Sequence, residues 1–138
     1  MGQGRVTIFT LPGRLAVCRL DPGDKAPGWA ASGALVSVTR TGEELSVVCS
    51  EVAVPDGVQC EKGWRCLRIR GPLAFSEVDV LSSLIAPLAK AGIPVFVVST
   101  YDTDNILVKE ERLPAAQAIL AAEGYSVGPS TGRDAGEG

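Results

Sequence analysis

Between residues 99 and 105 the chain reads Ser-Thr-Tyr-Asp-Thr-Asp-Asn, a run of hydroxyls, carboxylates and an amide set between the apolar stretches 93–98 and 106–108. Side chains of these types, gathered where a strand leaves the core, are free to meet a polar solute while the apolar flanks anchor them. Asp104 can accept a charge-assisted hydrogen bond from an ammonium or from a basic ligand side chain. It can equally bond its own backbone, as aspartate commonly does in turns. Thr100 and Tyr101 have the same double reading: ligand contacts on one hand, a β-branched strand former and a core-edge aromatic on the other. Asp102 and Asp104 could act as an acid–base pair, but the sequence offers them no histidine, no GxGxxG fingerprint and no phosphate-binding loop. The pattern therefore points to a small ligand-binding module and not to an enzyme.

The formal net charge is −3 and the basic residues are scattered, so nucleic acid is not an expected partner. At 138 residues and 46 % hydrophobic, the chain suits one ordinary domain or two small ones sharing a core. The uncharged runs 80–89 and 91–101 fall short of the about 20 residues that a bilayer crossing requires. Residues 1–10 carry no apolar signal core, so a cytoplasmic location with no membrane partner is expected. In that compartment Cys18, Cys49, Cys60 and Cys66 are expected as reduced thiols. There is no CxxC pair and no histidine, so neither a metal site nor a cofactor is expected, nor a nucleophile activated by imidazole.

The chain's punctuation predicts the elements that hold the polar run. Strands are expected at 6–10 and 14–20, split by Pro12-Gly13, and at 35–40 and 45–49, joined by Thr41-Gly42-Glu43. Leu45, Val47 and Cys49 share a face, and Trp29 to Ala31 can make one or two helical turns. Residues 51–63 read as a connector broken by Pro55, Asp56-Gly57 and Lys62-Gly63. In the next strand, 64–70, Trp64, Cys66 and Arg68 face one way and Arg65, Leu67 and Ile69 the other. Ser76 is a good N-cap, with Asp79 in the capping-box position, for a helix whose core face carries Leu81, Leu84, Ile85 and Leu88. Pro87 is expected to kink that helix and Gly92 to stop it. Residues 93–100 are apolar on both faces, which predicts a strand near the middle of a sheet, with 106–108 as its antiparallel neighbour. A second helix starts near Pro114, buries Ala116, Ile119 and Leu120, and ends at Gly124 before a last strand at 125–127.

The second half thus has the order strand, helix, strand, strand, helix, strand, the split βαβ or ferredoxin-like arrangement, and the first half a degraded version of it. The expected fold is α+β: two tandem ferredoxin-like modules with antiparallel sheets, at residues 5–63 and 64–128, and a disordered tail at 129–138.

The residues Leu45-Ser46-Val47-Val48-Cys49-Ser50-Glu51 with Val54-Pro55, Gly71-Pro72-Leu73, Ala86-Pro87-Leu88-Ala89-Lys90-Ala91-Gly92-Ile93, and Ser99-Thr100-Tyr101 with Asp104 and Ile106-Leu107-Val108 cover most of residues 10–127. As a set they resemble small tandem ACT-domain proteins of bacteria, related to the ACT modules of the cytosolic arginine sensor of animal TOR signalling. The resemblance implies a pair of ferredoxin-like modules that bind an amino acid where two modules pack side by side. It implies ligand contacts from Ala74, Glu77 and Val80 at the first helix start, and from Thr100, Tyr101, Thr103 and Asp104 in the turn after the second strand. Thr103 stands where the sensor has an aromatic residue and Ala74 where it has a glycine, so arginine is not assumed as the ligand. Backbone amides between residues 73 and 78 would suit a ligand carboxylate, and Glu77 a cationic side chain; Glu77 also simply suits the helix dipole.

Two functions from different classes remain. One is a regulatory sensor that binds an amino acid between ACT-like modules, in a homodimer. The other is a structural or protein-interaction module whose ancestral pocket has decayed.

Overall fold

Alternating burial along runs of four to eleven residues and a 3.6-residue apolar stripe in two others dictate a sheet backed by helices. The computed structural model describes residues 7–70 and 78–129. Within them the chain forms β1 (Thr7–Thr10), β2 (Leu15–Leu20), β3 (Ser37–Arg40), β4 (Leu45–Ser50), β5 (Cys60–Arg70), α1 (Val78–Lys90), β6 (Phe96–Ser99), β7 (Asp104–Lys109), α2 (Leu113–Ala122) and β8 (Ser126–Pro129). The cap at Ser76 and residues 130–138 of the expected tail lie outside the described residues.

The fold is α+β, with two βαββαβ-like repeats on one open sheet. In the first repeat the neighbours run β3-β4-β2-β5, and turns at 28–31 and at Glu51–Ala53 stand where helices would be. In the second, β5 pairs β7, β7 pairs β6, and α1 and α2 pack on the face beneath. Strand β5 is therefore last in one repeat and first in the next, which is why it is 11 residues long. Lys62-Gly63, expected as a break, lies inside it. Gly63 takes φ +81°, and the register shifts there from Val17↔Glu61 to Leu15↔Trp64, the extra residue of a β-bulge. The Gly63 N–H donates to Glu51 Oε1 at 2.7 Å, and Arg14 ties Glu51 to Glu110 at 3.3 and 3.2 Å.

Two further expectations are corrected. The sheet is mixed, not antiparallel throughout, because β1 inserts between β5 and β8: antiparallel to β5, it must run parallel to β8. Strand β6 is not central either. Among the described residues it pairs only with β7, and its burial alternates, with Val97 37 % exposed. The central strand is β7, whose Ile106, Leu107 and Val108 are fully buried.

Three apolar clusters hold the layers. Leu84 and Leu88 of α1 and Ala116 and Leu120 of α2 pack on Ile8, Leu67, Ile69, Ile106 and Val108. Leu45, Val47, Cys49, Ala16 and Cys18 form the inner face of the first repeat, under Ala30 and Val54. The opposite faces of the two repeats meet through Val48, Leu15, Trp64, Cys66 and Leu107. Each large side chain so buried contributes about 1.5–3 kcal/mol. Trp64, Cys66 and Arg68 do face away from Leu67 and Ile69, as their alternation requires.

Both helices end as their glycines predict. Gly92 (φ +76°) donates to the Ala89 carbonyl and Ile93 to that of Leu88; Gly124 (φ +102°) donates to Ala121 and Tyr125 to Leu120. These are Schellman closures, and in each the residue after the glycine joins the same core as the residue whose carbonyl it caps.

Candidate functional site

The turn between β6 and β7 is closed on itself. Thr100 N–H donates to the Thr103 carbonyl at 2.8 Å, the Thr100 hydroxyl donates to the same oxygen at 3.1 Å, and the Thr103 N–H reaches Thr100 Oγ1 at 3.3 Å. Thr100 thus spends its hydroxyl on the turn. The Thr103 hydroxyl donates to the Ile69 carbonyl and so fixes the turn beside the end of β5. Asp104 opens β7 and accepts from Ser99 Oγ at 2.5 Å. Tyr101 is 85 % exposed at the tip. Of the predicted contacts, the structure gathers Thr100, Tyr101, Thr103 and Asp104 in this one turn. Val80 sits in the first turns of α1, partly buried against the second repeat's core, with its carbonyl accepting from Ser83 Oγ at 3.0 Å. Ala74 and Glu77 lie outside the described residues.

Behind the turn is a buried polar bridge. Asn105, 1 % exposed, accepts from Arg68 Nε at 2.7 Å and from the Cys66 thiol at 3.7 Å, and donates to the Val98 carbonyl at 3.2 Å. Arg68 also donates to the Ala34 carbonyl at 3.1 Å, which carries the bridge across to the first repeat. Burial pushes the Cys66 thiol up to about 12, with Arg68 opposing the shift, so this thiol stays protonated and serves as a donor.

A cleft of about 590 Å³ opens where the outer faces of the two repeats diverge. Arg19, Thr39, Ser46 and Glu61 line the first-repeat wall; Phe96 to Ser99 line the other. Ser99 therefore belongs to both places, reaching the cleft and holding Asp104. Sequence reading missed this wall. Its signal was the polar alternation of Val17 with Arg19 and Ser46 with Val48, the complement of the Leu45, Val47, Cys49 face, and only the strand pairing turns that alternation toward β6. What the turn and the cleft offer chemically is one carboxylate held by a hydroxyl, turn hydroxyls, and a recess walled by apolar and charged groups. Among the described residues, no group of three or more Cys, Asp or Glu side chains is placed to hold a metal ion. Among those residues, too, no helix is long and apolar enough to cross a membrane.

Comparison with known proteins gives this geometry relatives. A family model for the ACT domain matches residues 59–122, and a second model, of an N-terminal domain, matches residues 13–57. A crystal structure of a protein from Agrobacterium tumefaciens superposes with a TM-score of 0.86 at 38 % identity, over 92 % of this chain and 95 % of that one. The human cytosolic arginine sensor for mTORC1 subunit 1 is 36 % identical over 58 residues, 41 % of this chain and 18 % of the sensor. The putative human protein CASTOR3P is 32 % identical over 100 residues, 63 % of this chain and 61 % of that protein. The chain therefore matches only a minor part of the arginine sensor's length.

Proposed function

Because this chain is an ACT-domain protein of one family with the Agrobacterium tumefaciens protein, we propose that it is an amino-acid sensor, binding its ligand at an interface between ACT modules. ACT domains are regulatory modules and not catalysts. The observation that carries the reading is the pair of hydrogen bonds that pin the β6–β7 turn: Ser99 on Asp104 and Thr103 on the Ile69 carbonyl. They hold a carboxylate in a fixed bend close to where β5 runs on toward α1. A carboxylate there suits a ligand ammonium, and amide groups at a helix start suit a ligand carboxylate. In this reading Ala74, Glu77 and Val80 supply the helix side of the pocket, and Thr100, Tyr101, Thr103 and Asp104 the turn side. The modules are taken as 5–63 and 64–128, with β1 lent to the second. We take its location as cytoplasmic, where its thiols would be kept reduced.

Thermal-shift or calorimetric titration with each of the twenty amino acids tests the proposal. A ligand at 100 times its dissociation constant stabilises the fold by about 2.7 kcal/mol. Asp104→Ala is expected to abolish that response while leaving the fold unchanged by circular dichroism. No response to any amino acid, or a full response in Asp104→Ala, would overturn it.

The interaction-module reading has one observation of its own, the apolar edge of β6. We take that edge as the contact of a homodimer, which serves the sensor as well.

A further inference from the structure

Cys18 and Cys60 face each other directly across the β2–β5 seam. Arg19 N–H donates to the Gln59 carbonyl at 2.9 Å, one residue beyond Cys18 on one strand and one before Cys60 on the other, which makes the cysteines a pair without mutual backbone hydrogen bonds. In an antiparallel ladder such pairs bring the Cα atoms to about 4.5 Å with both side chains on one face, inside the roughly 4.4–6.8 Å window a disulfide requires. Cys49, the third thiol of the group, pairs with Ala16, so it lies diagonal to Cys18, where Cα atoms are about 7–8 Å apart and a bond would need the backbone to move.

We propose that Cys18 and Cys60 are an oxidation site, in which a peroxide converts the facing thiols into a cross-strand disulfide that fastens the first repeat to β5. The Cys60 sulfur, partly exposed, attacks one peroxide oxygen and breaks the O–O bond, giving Cys60 sulfenic acid and releasing water. The buried Cys18 sulfur then attacks the sulfenic sulfur; its proton leaves with the departing hydroxide as a second water, and the S–S bond forms. Two thiols lose two electrons in all and one peroxide gains them.

Cys18, the buried member of the pair, is less open to the oxidant than the partly exposed Cys60 and stands opposite it as the resolving partner. Cys66 lies buried in another cluster, beside Trp64 and Leu107, and takes no part. The bond would lie on the inner face of the first repeat, under Ala30 and Val54, on the strands whose opposite face lines the cleft.

The test is peptide mapping of the full chain after treatment with hydrogen peroxide and alkylation. A tryptic fragment of residues 41–62 carries both Cys49 and Cys60, so a second cut after Glu51 is needed to tell them apart. The expected result is a Cys18–Cys60 peptide pair, loss of two of the four thiols, and unchanged alkylation of Cys49 and Cys66. Cys18→Ser should stop the reaction at a sulfenic acid on Cys60, captured by dimedone, and Cys49→Ser should leave the link intact. A Cys18–Cys49 link, a Cys60–Cys60 link between chains, or retention of all thiols under excess peroxide would overturn the proposal. The wild-type map decides even if a variant fails to fold.

Discussion

Asn105 carries more of the site than any residue of the exposed turn. Its amide joins three strands, taking a hydrogen bond from Arg68 on β5 and giving one to the Val98 carbonyl on β6 while standing on β7 itself. Truncation to alanine strands the Arg68 Nε–H and leaves the Val98 carbonyl with one partner fewer, and an unsatisfied buried group costs about 1–3 kcal/mol. Asn105→Ala is therefore expected to lower stability by that amount, seen as a lower urea midpoint at unchanged m-value. A loss under about 0.5 kcal/mol, the usual size for a surface substitution, would mean that the bridge does not matter. The sequence shows Asn105 only as the last residue of a polar run. What makes it a bridge is the register, Asn105 opposite both Arg68 and Val98, and the Arg68 pairing joins residues 37 positions apart in the chain. The position of Asp104 at the turn's end, by contrast, was legible, because a carboxylate between a polar turn and an apolar strand has few places to go.

Elements whose limits are set by local chemistry were read well, and those set by partners were not. Both helix stops followed from a glycine just past an apolar stripe, and the Schellman bonds at Gly92 and Gly124 are the reason. Lys62-Gly63 misled because a glycine with positive φ serves a bulge as well as it serves a turn. The apolar run before residue 100 outranks the shorter run at 106–108 on hydrophobicity, yet β7 is central because β5 chose it. A glycine can also be held by a partner element and not by its own turn. Gly33, at φ +133°, sits so close to β4 that an added Cβ would lie 2.8 Å from the Ser50 amide nitrogen, whereas at Gly92 it would meet nothing within 4 Å. Gly92→Ala should cost only the left-handed backbone penalty, about 1–2 kcal/mol. Gly33→Ala should cost distinctly more, because it also disturbs the Ser50 to Ser32 hydrogen bond, 2.8 Å in the native chain. Paired denaturation curves check the ranking, and equal losses would contradict it.

At the scale of the molecule, three of the described strands pair on one side only: β8 at the far end of the sheet, and β3 and β6, the two that flank the cleft. The two are not equivalent. The residues of β3 are mostly exposed, and although Val38 is among them at 45 %, Arg40 puts a charge on that edge, of the kind that discourages pairing. Strand β6 is Phe-Val-Val-Ser with no charge, and Val97 is 37 % exposed beside it. An apolar edge this short can be covered by its own twofold copy, which satisfies its outward backbone groups and is an interface that closes on itself. Such a dimer would set the β6–β7 turn of one subunit against the strand's beginning in the other, so that two candidate ligand sites flank one continuous sheet. Val97→Lys places a charge on the edge without disturbing the core, since the side chain already reaches solvent. Light scattering should then find the native chain at twice its own mass and the variant as a monomer with unchanged circular dichroism. A native chain that is monomeric at high concentration, or a variant that still pairs, would show that β6 is left open for a different protein, as the interaction-module reading requires.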